Sequence, residues 1–262
     1  MIKYKKIALV VGHSKLKNGS YTSSQGIKNE YLVNKELAYE TKRLLDIKGQ
    51  DCDVILVPEG KYTSKSYEDD YKLPIVNSGK YDLVVEFHCN CFNTQAKGTE
   101  VLYISESGKK VAQRVQNKLK TIFTDRGLKY RDDLYMLTKV KPVSIMLEVM
   151  FIDNKTDCIA YDTKGKSEVA KKIVEGLIDT SIEENVNTGF KIGTYQKDVV
   201  VDTDTLNARS GRGTDFEVVG KFHRNEIINI WYIDKDKDGD LWGSCSYKEK
   251  TVYIHMGYVR IK

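Results

Sequence analysis

Long apolar runs are absent from this sequence of 262 residues. No stretch approaches the roughly 20 consecutive apolar residues that a transmembrane helix requires, so we expect no membrane span. The chain opens with basic residues and an apolar run over 7–11. That run is too short for a secretory signal and ends in Gly12-His13, without a small-residue cleavage site. We therefore expect synthesis in the cytoplasm without a signal peptide, and we interpret residues 7–11 as a buried strand.

Paired cysteines and strongly basic segments are absent as well. The 5 cysteines are scattered and form no CxxC pair, so a disulfide framework is not indicated and reduced thiols are the simplest interpretation. Acidic and basic residues are interspersed, and the net charge is +5. No basic stripe with interleaved aromatic residues is present, so we expect no nucleic-acid partner. The mild positive charge suits approach to an anionic surface.

Apolar runs alternate with helical patterns through the first two thirds of the chain. The predicted strands are Ile7–Val11, Cys52–Val57, Leu83–His88, Glu100–Ile104 and Val143–Phe151. The predicted helices are Asn29–Leu45, Gly108–Phe123 and Gly165–Ile178. Such alternation is typical of the α/β class, so the pattern predicts a mostly parallel sheet flanked by helices.

The pattern changes at a polar segment over 183–189, which carries a glycine and neither apolar period, and which we interpret as a linker. Five short strand patterns follow it, at Lys197–Asp202, Phe216–Phe222, Glu226–Ile233, Leu241–Tyr247 and Thr251–Val259. Short strands at this density predict a small β-barrel. The sequence thus predicts an α/β domain over 1–182 and an all-β domain over 190–262.

Side chains that bind metals stand where two predicted strands end. His13 follows the first strand and His88 closes the third, and the carboxyl ends of strands are where α/β proteins gather ligands. A hydrogen-bonded turn histidine is the alternative interpretation of His13. Glu30 lies in the first turn of the next helix, where the helix dipole favours an acid. Its spacing with Val33 and Leu37, however, places the carboxylate on the buried face.

Glu148 interrupts the apolar strand pattern Val143–Phe151. A carboxylate is rarely buried unless it is paired or bound to a metal, so this position indicates either a functional group or a buried ion pair. Two histidines and one glutamate are a normal ligand set for catalytic zinc, with a position left for water, and a second glutamate can deprotonate that water. The long spacing between these residues is a weak pattern by itself, so a zinc hydrolase is one hypothesis among others at this point.

Five short motifs around these residues occur in a fixed order. They are Val10-Val11-Gly12-His13, Asn29-Glu30-Tyr31 with Asn34-Lys35, Phe87-His88-Cys89-Asn90, Gly98-Thr99-Glu100-Val101-Leu102-Tyr103 and Leu147-Glu148-Val149-Met150-Phe151-Ile152-Asp153-Asn154. Across residues 5–180 the series resembles the zinc-dependent N-acetylmuramoyl-L-alanine amidases of the amidase-3 type. Within that family it is most similar to the endolysins of phages that infect clostridia.

The resemblance carries expectations about the site and the reaction. It implies one Zn²⁺ per chain, bound by His13, Glu30 and His88. It implies that Glu148 is the catalytic carboxylate. The expected reaction is hydrolysis of the amide bond between N-acetylmuramic acid and L-alanine in bacterial peptidoglycan.

Two places near His88 depart from the family pattern. Cys89 and Cys91 stand where many members have small residues, and they raise the alternative of a thiolate metal site. Glu86 stands where a serine is usual, two positions before His88. It shares a strand face with that histidine, so it either orients His88 or forms a surface contact or salt bridge.

The second predicted domain has a resemblance of its own. Residues 205–214 resemble the opening of bacterial SH3-type domains, and residues 253–259 resemble their final Gly-Tyr-Val strand. This implies a module that binds the cell wall and holds the enzyme near its insoluble substrate. Trp231, Tyr232, Trp242 and Tyr258 are candidate ligand contacts, although a small barrel also needs aromatic residues in its core.

Two alternatives to a wall amidase remain open at this stage. One is a zinc peptidase that cuts within the stem peptide, and the other is a wall-binding protein with an inactive catalytic domain. For the favoured interpretation the expected partner is bacterial peptidoglycan. We expect a protein made in the bacterial cytoplasm that acts on the wall after release by lysis.

Overall fold

The structure of the protein is a computed structural model that describes residues 2–180, 190–203, 205–237 and 239–262. The chain divides into two compact units, Met1–Ser181 and Ile182–Lys262. The linker predicted over 183–189 lies outside the described residues, and the predicted domain limits stay predictions. None of the helices in the described ranges is long and apolar enough to cross a membrane.

The first unit is built on a six-stranded sheet. Its strands are β1 (Ile7–Val11), β2 (Cys52–Ile55), β3 (Leu83–Asn90), β4 (Thr99–Tyr103), β5 (Asp125–Tyr130) and β6 (Val143–Phe151). Their order is β2-β1-β3-β6-β4-β5, and neighbouring strands are parallel except for β4 and β6. The predicted α/β class with a mostly parallel sheet is confirmed, and the predicted bounds of β1 and β6 are those observed.

Helices cover both faces of this sheet. They are α1 (Glu30–Ile47), α2 (Tyr67–Ser78), α3 (Glu106–Leu119), α4 (Tyr135–Thr138) and α5 (Lys155–Ile178). On one face α5 packs between α1 and α3. On the other face, Val76 of α2 and Met136 of α4 pack against Val84 and Met146 of the central strands. Asn29, Ser105 and Asn154 begin α1, α3 and α5, because each side chain accepts a hydrogen bond from a backbone N–H of the first turn.

Four elements of the first unit differ from the prediction by more than their exact bounds: α2, β5 and α4 were not predicted, and α5 begins earlier than predicted. The bounds of the other elements agree within four residues. Helix α2 has no apolar stripe, since it contains Pro74, opens with three acids and buries only Lys72 and Val76. Strand β5 lies at the sheet edge without a buried residue, and α4 is a single turn. Helix α5 begins at Lys155 rather than at residue 165, where the predicted helix starts. Gly165 has a non-helical φ of 75° and ψ of 156°, so the element is two helical segments joined by a kink at that residue.

The second unit is one antiparallel sheet of seven strands. They are β7 (Gly193–Val201), β8 (Thr205–Arg209), β9 (Val218–His223), β10 (Ile227–Lys235), β11 (Leu241–Tyr247), β12 (Lys250–His255) and β13 (Val259–Ile261). The order is β13-β7-β10-β11-β12-β8-β9 around one apolar core. The prediction of five strands is wrong. A 3₁₀ turn at Met256–Tyr258 divides the last predicted strand, and β8 lies within the motif at residues 205–214.

Candidate active site

His88 and Glu148 face each other across the middle of the first sheet. The register pairs His88 on β3 with Glu148 on β6, and pairs Glu148 in turn with Glu100 on β4. Side chains alternate between the faces of a strand, so Glu86 shares the face of His88 on the side of α2 and α4. This face therefore carries a row of charged groups at the carboxyl ends of β3 and β6.

His13 enters the same region through an unusual backbone turn. Its φ of 65° lies in the left-handed region, which few non-glycine residues adopt. The following residues hold this turn, because the backbone N–H of Ser14 donates to Thr22 Oγ1 over 2.9 Å. The hydroxyl groups of Ser14 and Thr22 both donate to the carboxylate of Glu68 on α2, and the Ser14 contact measures 2.7 Å. The loop after β1 is thus fastened to α2, which keeps His13 in place.

Gly12 makes room for the second histidine. A Cβ atom at this position would lie 2.4 Å from Cε1 and 2.5 Å from Nε2 of His88. Its own backbone N–H donates to the carbonyl oxygen of Phe87 over 3.0 Å, which joins the end of β1 to β3. The same Cβ would lie 2.5 Å from the carbonyl oxygen of Phe87, so the lack of a side chain at Gly12 leaves the space that the His88 ring and the neighbouring strand occupy.

Two histidine nitrogens converge on one carboxylate oxygen of Glu30, and the three side chains are potential metal ligands. Oε1 of Glu30 lies 2.9 Å from Nε2 of His13 and 3.1 Å from Nδ1 of His88. One ligand atom from each of the three residues lies within 4.8 Å of the other two. The backbone N–H groups of Ser24 and Cys89 donate to Glu30 over 3.1 and 3.3 Å, so its carboxylate is fixed in position.

The charges of this cluster are strongly coupled. Burial alone would raise the pKa of Glu30, but hydrogen bonds from His13 and His88 hold it well below the ordinary value. Burial would lower the pKa of His88, but the carboxylates of Glu30 and Glu86 raise it to about 10. A metal held by His13, Glu30 and His88 would require neutral imidazole, so its binding would displace the proton of His88.

Glu148 forms no ion pair with any residue that the structure describes, although the charge of His88 lies nearby. It is half-buried, yet its Oε2 is enclosed and makes no hydrogen bond. Burial raises its pKa to about 8, with further contributions from the carboxylates of Glu30 and Glu100, against the opposing charge of His88. Glu148, His13, Glu30 and His88 all line one cleft with a volume of about 470 Å³. An acid with a strongly shifted pKa, placed in a cleft beside potential metal ligands, is typical of a hydrolytic site.

The family model for N-acetylmuramoyl-L-alanine amidases matches residues 7–179. The chain belongs to this amidase family. The resemblance carried by the five ordered motifs is thereby confirmed for the family, and the match covers the whole sheet of the first unit.

Three individual proteins show what the chain is similar to. The catalytic domain of CD27L, an endolysin targeting Clostridia difficile, is 44% identical, with a TM-score of 0.67 over 68% of this chain and 99% of that domain. An N-acetylmuramoyl-L-alanine amidase from Clostridium difficile 630 is 22% identical, with a TM-score of 0.56 over 68% of this chain and 97% of that one, and shares the fold. An uncharacterized protein of Clostridium perfringens is 24% identical over 237 residues, which are 86% of this chain and 68% of that protein.

Cys89 and Cys91 line the same cleft, but neither thiol belongs to the group of metal-ligating atoms formed by His13, Glu30 and His88. Within the described ranges there is one group of three or more metal-ligating side chains, and it contains neither Cys89 nor Cys91. Cys89 is buried, and burial raises the pKa of its thiol well above the ordinary value, which disfavours the thiolate that metals bind. Cys91 is exposed.

The sequence analysis missed four residues that line the cleft or shape it. Lys72 lines it from α2 with its ammonium group 2.7 Å from Glu86, but no apolar periodicity marks the helix that carries it. Gly12 enters the sequence analysis only as part of a motif. A glycine directly before a potential metal ligand could have indicated that another group packs closely against the backbone there. Arg131 directly follows β5 and Tyr135 is the first residue of α4. Both also line the cleft, and neither element has a sequence pattern that predicts it.

The aromatic candidates of the second unit separate into two groups. Trp242 is 2% exposed and donates its indole N–H to Asp236 over 2.7 Å, and Tyr258 packs against the core. Trp231 and Tyr232 are 36% and 41% exposed. These two neighbours share an exposed surface because the register of β10 against β7 shifts between residues 230 and 232, which interrupts the alternation of faces.

Proposed function

We propose that the chain is a zinc-dependent peptidoglycan hydrolase that cleaves the amide bond between N-acetylmuramic acid and L-alanine. The observation that carries this proposal is the placement of the unpaired carboxylate of Glu148 in the same cleft as His13, Glu30 and His88. Family membership supports the class of reaction. The choice of metal, the exact bond and the role of each residue are our inferences.

The donor set fits zinc. Two imidazoles and one carboxylate are a common set for catalytic zinc, and their ligand atoms already lie within 4.8 Å of one another. Zinc supplies a Lewis acid that polarises an amide carbonyl and makes water easier to deprotonate. Protein purified without chelator is expected to contain about one zinc per chain, and substitution of either histidine by alanine should remove it. Zinc that was lost instead on substitution of Cys89 and Cys91 would contradict this site.

Glu148 moves the proton in the proposed reaction. Water loses a proton to the carboxylate as its oxygen attacks the carbonyl carbon of the lactyl group. The bond between that carbon and the nitrogen of L-alanine then breaks, and Glu148 delivers the proton to the leaving amine. Glu148 must be ionised before it can accept the proton of water. Positive charge held by His13, Glu30 and His88, as the proposed zinc would supply, lowers the pKa of Glu148 and favours its ionised form. The products are a carboxylate on the sugar and a free N-terminal L-alanine.

Mass spectrometry of fragments released from purified clostridial walls tests the bond. The amidase reaction gives intact glycan with free lactyl carboxylates, stem peptides that begin with L-alanine, and no new reducing sugars. A peptidase acting within the stem would instead release shortened peptides and leave L-alanine attached to the sugar. Walls that released no fragments would favour an inactive wall-binding protein.

We infer that the second unit is an SH3-like module that binds the wall. Its small antiparallel sheet around one core supports this type of module, and the exposed pair Trp231 and Tyr232 supplies flat apolar surface for a ligand. Co-sedimentation of the full chain with walls tests the assignment. Trp231→Ala and Tyr232→Ala should each weaken sedimentation, whereas Ile261→Ala, which removes another exposed apolar side chain from this unit, should leave it unchanged.

A further inference from the structure

A buried ion pair lies directly behind the proposed zinc site. Nζ of Lys72 on α2 lies 2.7 Å from Oε1 of Glu86 on β3, and the two side chains are 3% and 2% exposed. The free energy needed to remove two charges from water often exceeds the free energy gained from their attraction. A buried ion pair is therefore weak evidence of a contribution to stability. Glu86 lies two residues before His88 on the same face of β3, and this position points to another role for the pair.

The second oxygen of Glu86 is directed at His88. Oε2 of Glu86 is enclosed, makes no hydrogen bond, and lies 3.7 Å from Nε2 of His88. The other ring nitrogen, Nδ1, is the one that lies 3.1 Å from Glu30 inside the ligand cluster. The two nitrogens of one imidazole thus face two different carboxylates. Lys72 occupies Oε1 of Glu86 and leaves Oε2 for the ring.

We propose that Glu86, held by Lys72, is a positioning residue that accepts the Nε2–H of His88 and so presents Nδ1 to the metal. This inference rests on the proposed zinc site. Ligating histidines commonly donate their other N–H to a carboxylate, which fixes both the tautomer and the orientation of the ring. The separation of 3.7 Å is longer than a hydrogen bond, so the proposed contact requires Nε2 of His88 and Oε2 of Glu86 to approach each other slightly.

The double variant Lys72→Met/Glu86→Leu separates positioning from a purely structural role. Apolar residues of similar volume replace the buried pair, an exchange that is often neutral or stabilising, so the metal-free protein should melt at or above the wild-type temperature. Its zinc affinity, measured by competition with a chromophoric chelator, should nevertheless fall by about 10–100-fold. Glu86→Gln keeps the shape of the side chain and serves as the second variant if the double variant does not fold; we expect a loss of about tenfold for it.

Glu40→Gln is the matched control. Glu40 is also a buried carboxylate paired with a cation, since Nε of Arg43 donates to it over 3.0 Å. It lies on α1 ten residues beyond Glu30, about 15 Å along the helix. This variant should lower the melting temperature and leave zinc affinity unchanged.

The outcomes distinguish this inference from the proposed function. Zinc affinity that stayed at the wild-type value in a folded double variant, or in Glu86→Gln, would overturn the positioning role and leave a structural ion pair. Wild-type protein that bound no zinc, or kept its zinc after His13→Ala and His88→Ala, would overturn the metal site itself and this inference with it. A loss of zinc affinity in the two variants that change Glu86, with wild-type affinity in Glu40→Gln, supports the positioning role of Glu86.

Discussion

The surroundings of Glu148 oppose its charge and leave Oε2 without a hydrogen bond. As the proposed acid–base group, it should tolerate replacement by glutamine, which keeps its shape and removes that charge. We expect Glu148→Gln to fold, to retain zinc, and to lose about 10²–10⁴-fold in wall-lysis rate. Zinc content and lysis rate are measured on the same preparation. Glu30→Gln should differ by losing zinc itself, and near-normal lysis by Glu148→Gln would show that the carboxylate is structural.

The raised pKa of Glu148 also predicts a dependence of stability on pH. In metal-free protein its pKa is about 8, compared with an ordinary value of 4.5, so the folded state binds this proton more tightly than the unfolded state does. The stabilisation is fully present below pH 4.5 and is lost as the pH rises to about 8. Denaturant unfolding with a chelator present should show wild-type protein losing stability relative to Glu148→Gln across this window. If the free energies of unfolding of the two proteins changed with pH in parallel, the raised pKa of Glu148 would be contradicted.

Gly12 supplies a further prediction for a single residue. Because a Cβ atom would overlap the His88 ring, Gly12→Ala should displace a ligand and reduce zinc affinity by about tenfold or more. Gly176→Ala is the matched control, since its Cβ would lie 2.5 Å from Cα of Val115, between α3 and α5. That change should destabilise the fold by about 1–3 kcal/mol without altering zinc affinity. Equal zinc affinity in both variants would show that the space at Gly12 does not set the ring position.

Among the secondary-structure elements, α1 joins folding to the site because its first residue is a ligand. Asn29 caps this helix by accepting from the N–H of Leu32 over 3.0 Å, and Glu30 follows directly. Asn29→Ala and Ser105→Ala each remove one cap and should each lower the free energy of unfolding by about 1 kcal/mol. Only Asn29→Ala should also weaken zinc binding, as a chelator competition measures. Zinc affinity reduced equally by the two variants would indicate a general effect of stability.

Elements with a regular apolar pattern could be predicted from the sequence, and the others could not. Strand β6 was predicted with its observed bounds because its apolar residues are nearly continuous, and Glu148 was identified because it interrupts them. Helix α2 has no such pattern, so the contact of Lys72 with Glu86 could not be inferred. That pairing depends on how α2 packs on the sheet. Local periodicity does not report such packing.

At the scale of the whole molecule, the residues proposed for catalysis all belong to the first unit and those proposed for wall binding to the second. A tether raises the effective concentration of an enzyme at an insoluble substrate without changing its chemistry. Soluble substrates should therefore depend on the first unit alone, whereas intact walls should depend on both units.

Residues 1–182 expressed alone should consequently fold and hydrolyse soluble peptidoglycan fragments at the rate of the full chain, because the cleft lies wholly within the first unit. On intact walls the same fragment should be slower by about 10²-fold or more, the usual gain from tethering. The full chain with Trp231→Ala should resemble the fragment on walls and wild-type protein on soluble substrate. Residues 190–262 alone should sediment with walls and release nothing. If residues 1–182 lysed walls as fast as the full chain, the second unit would not be the tether, and its exposed aromatic pair would need another explanation.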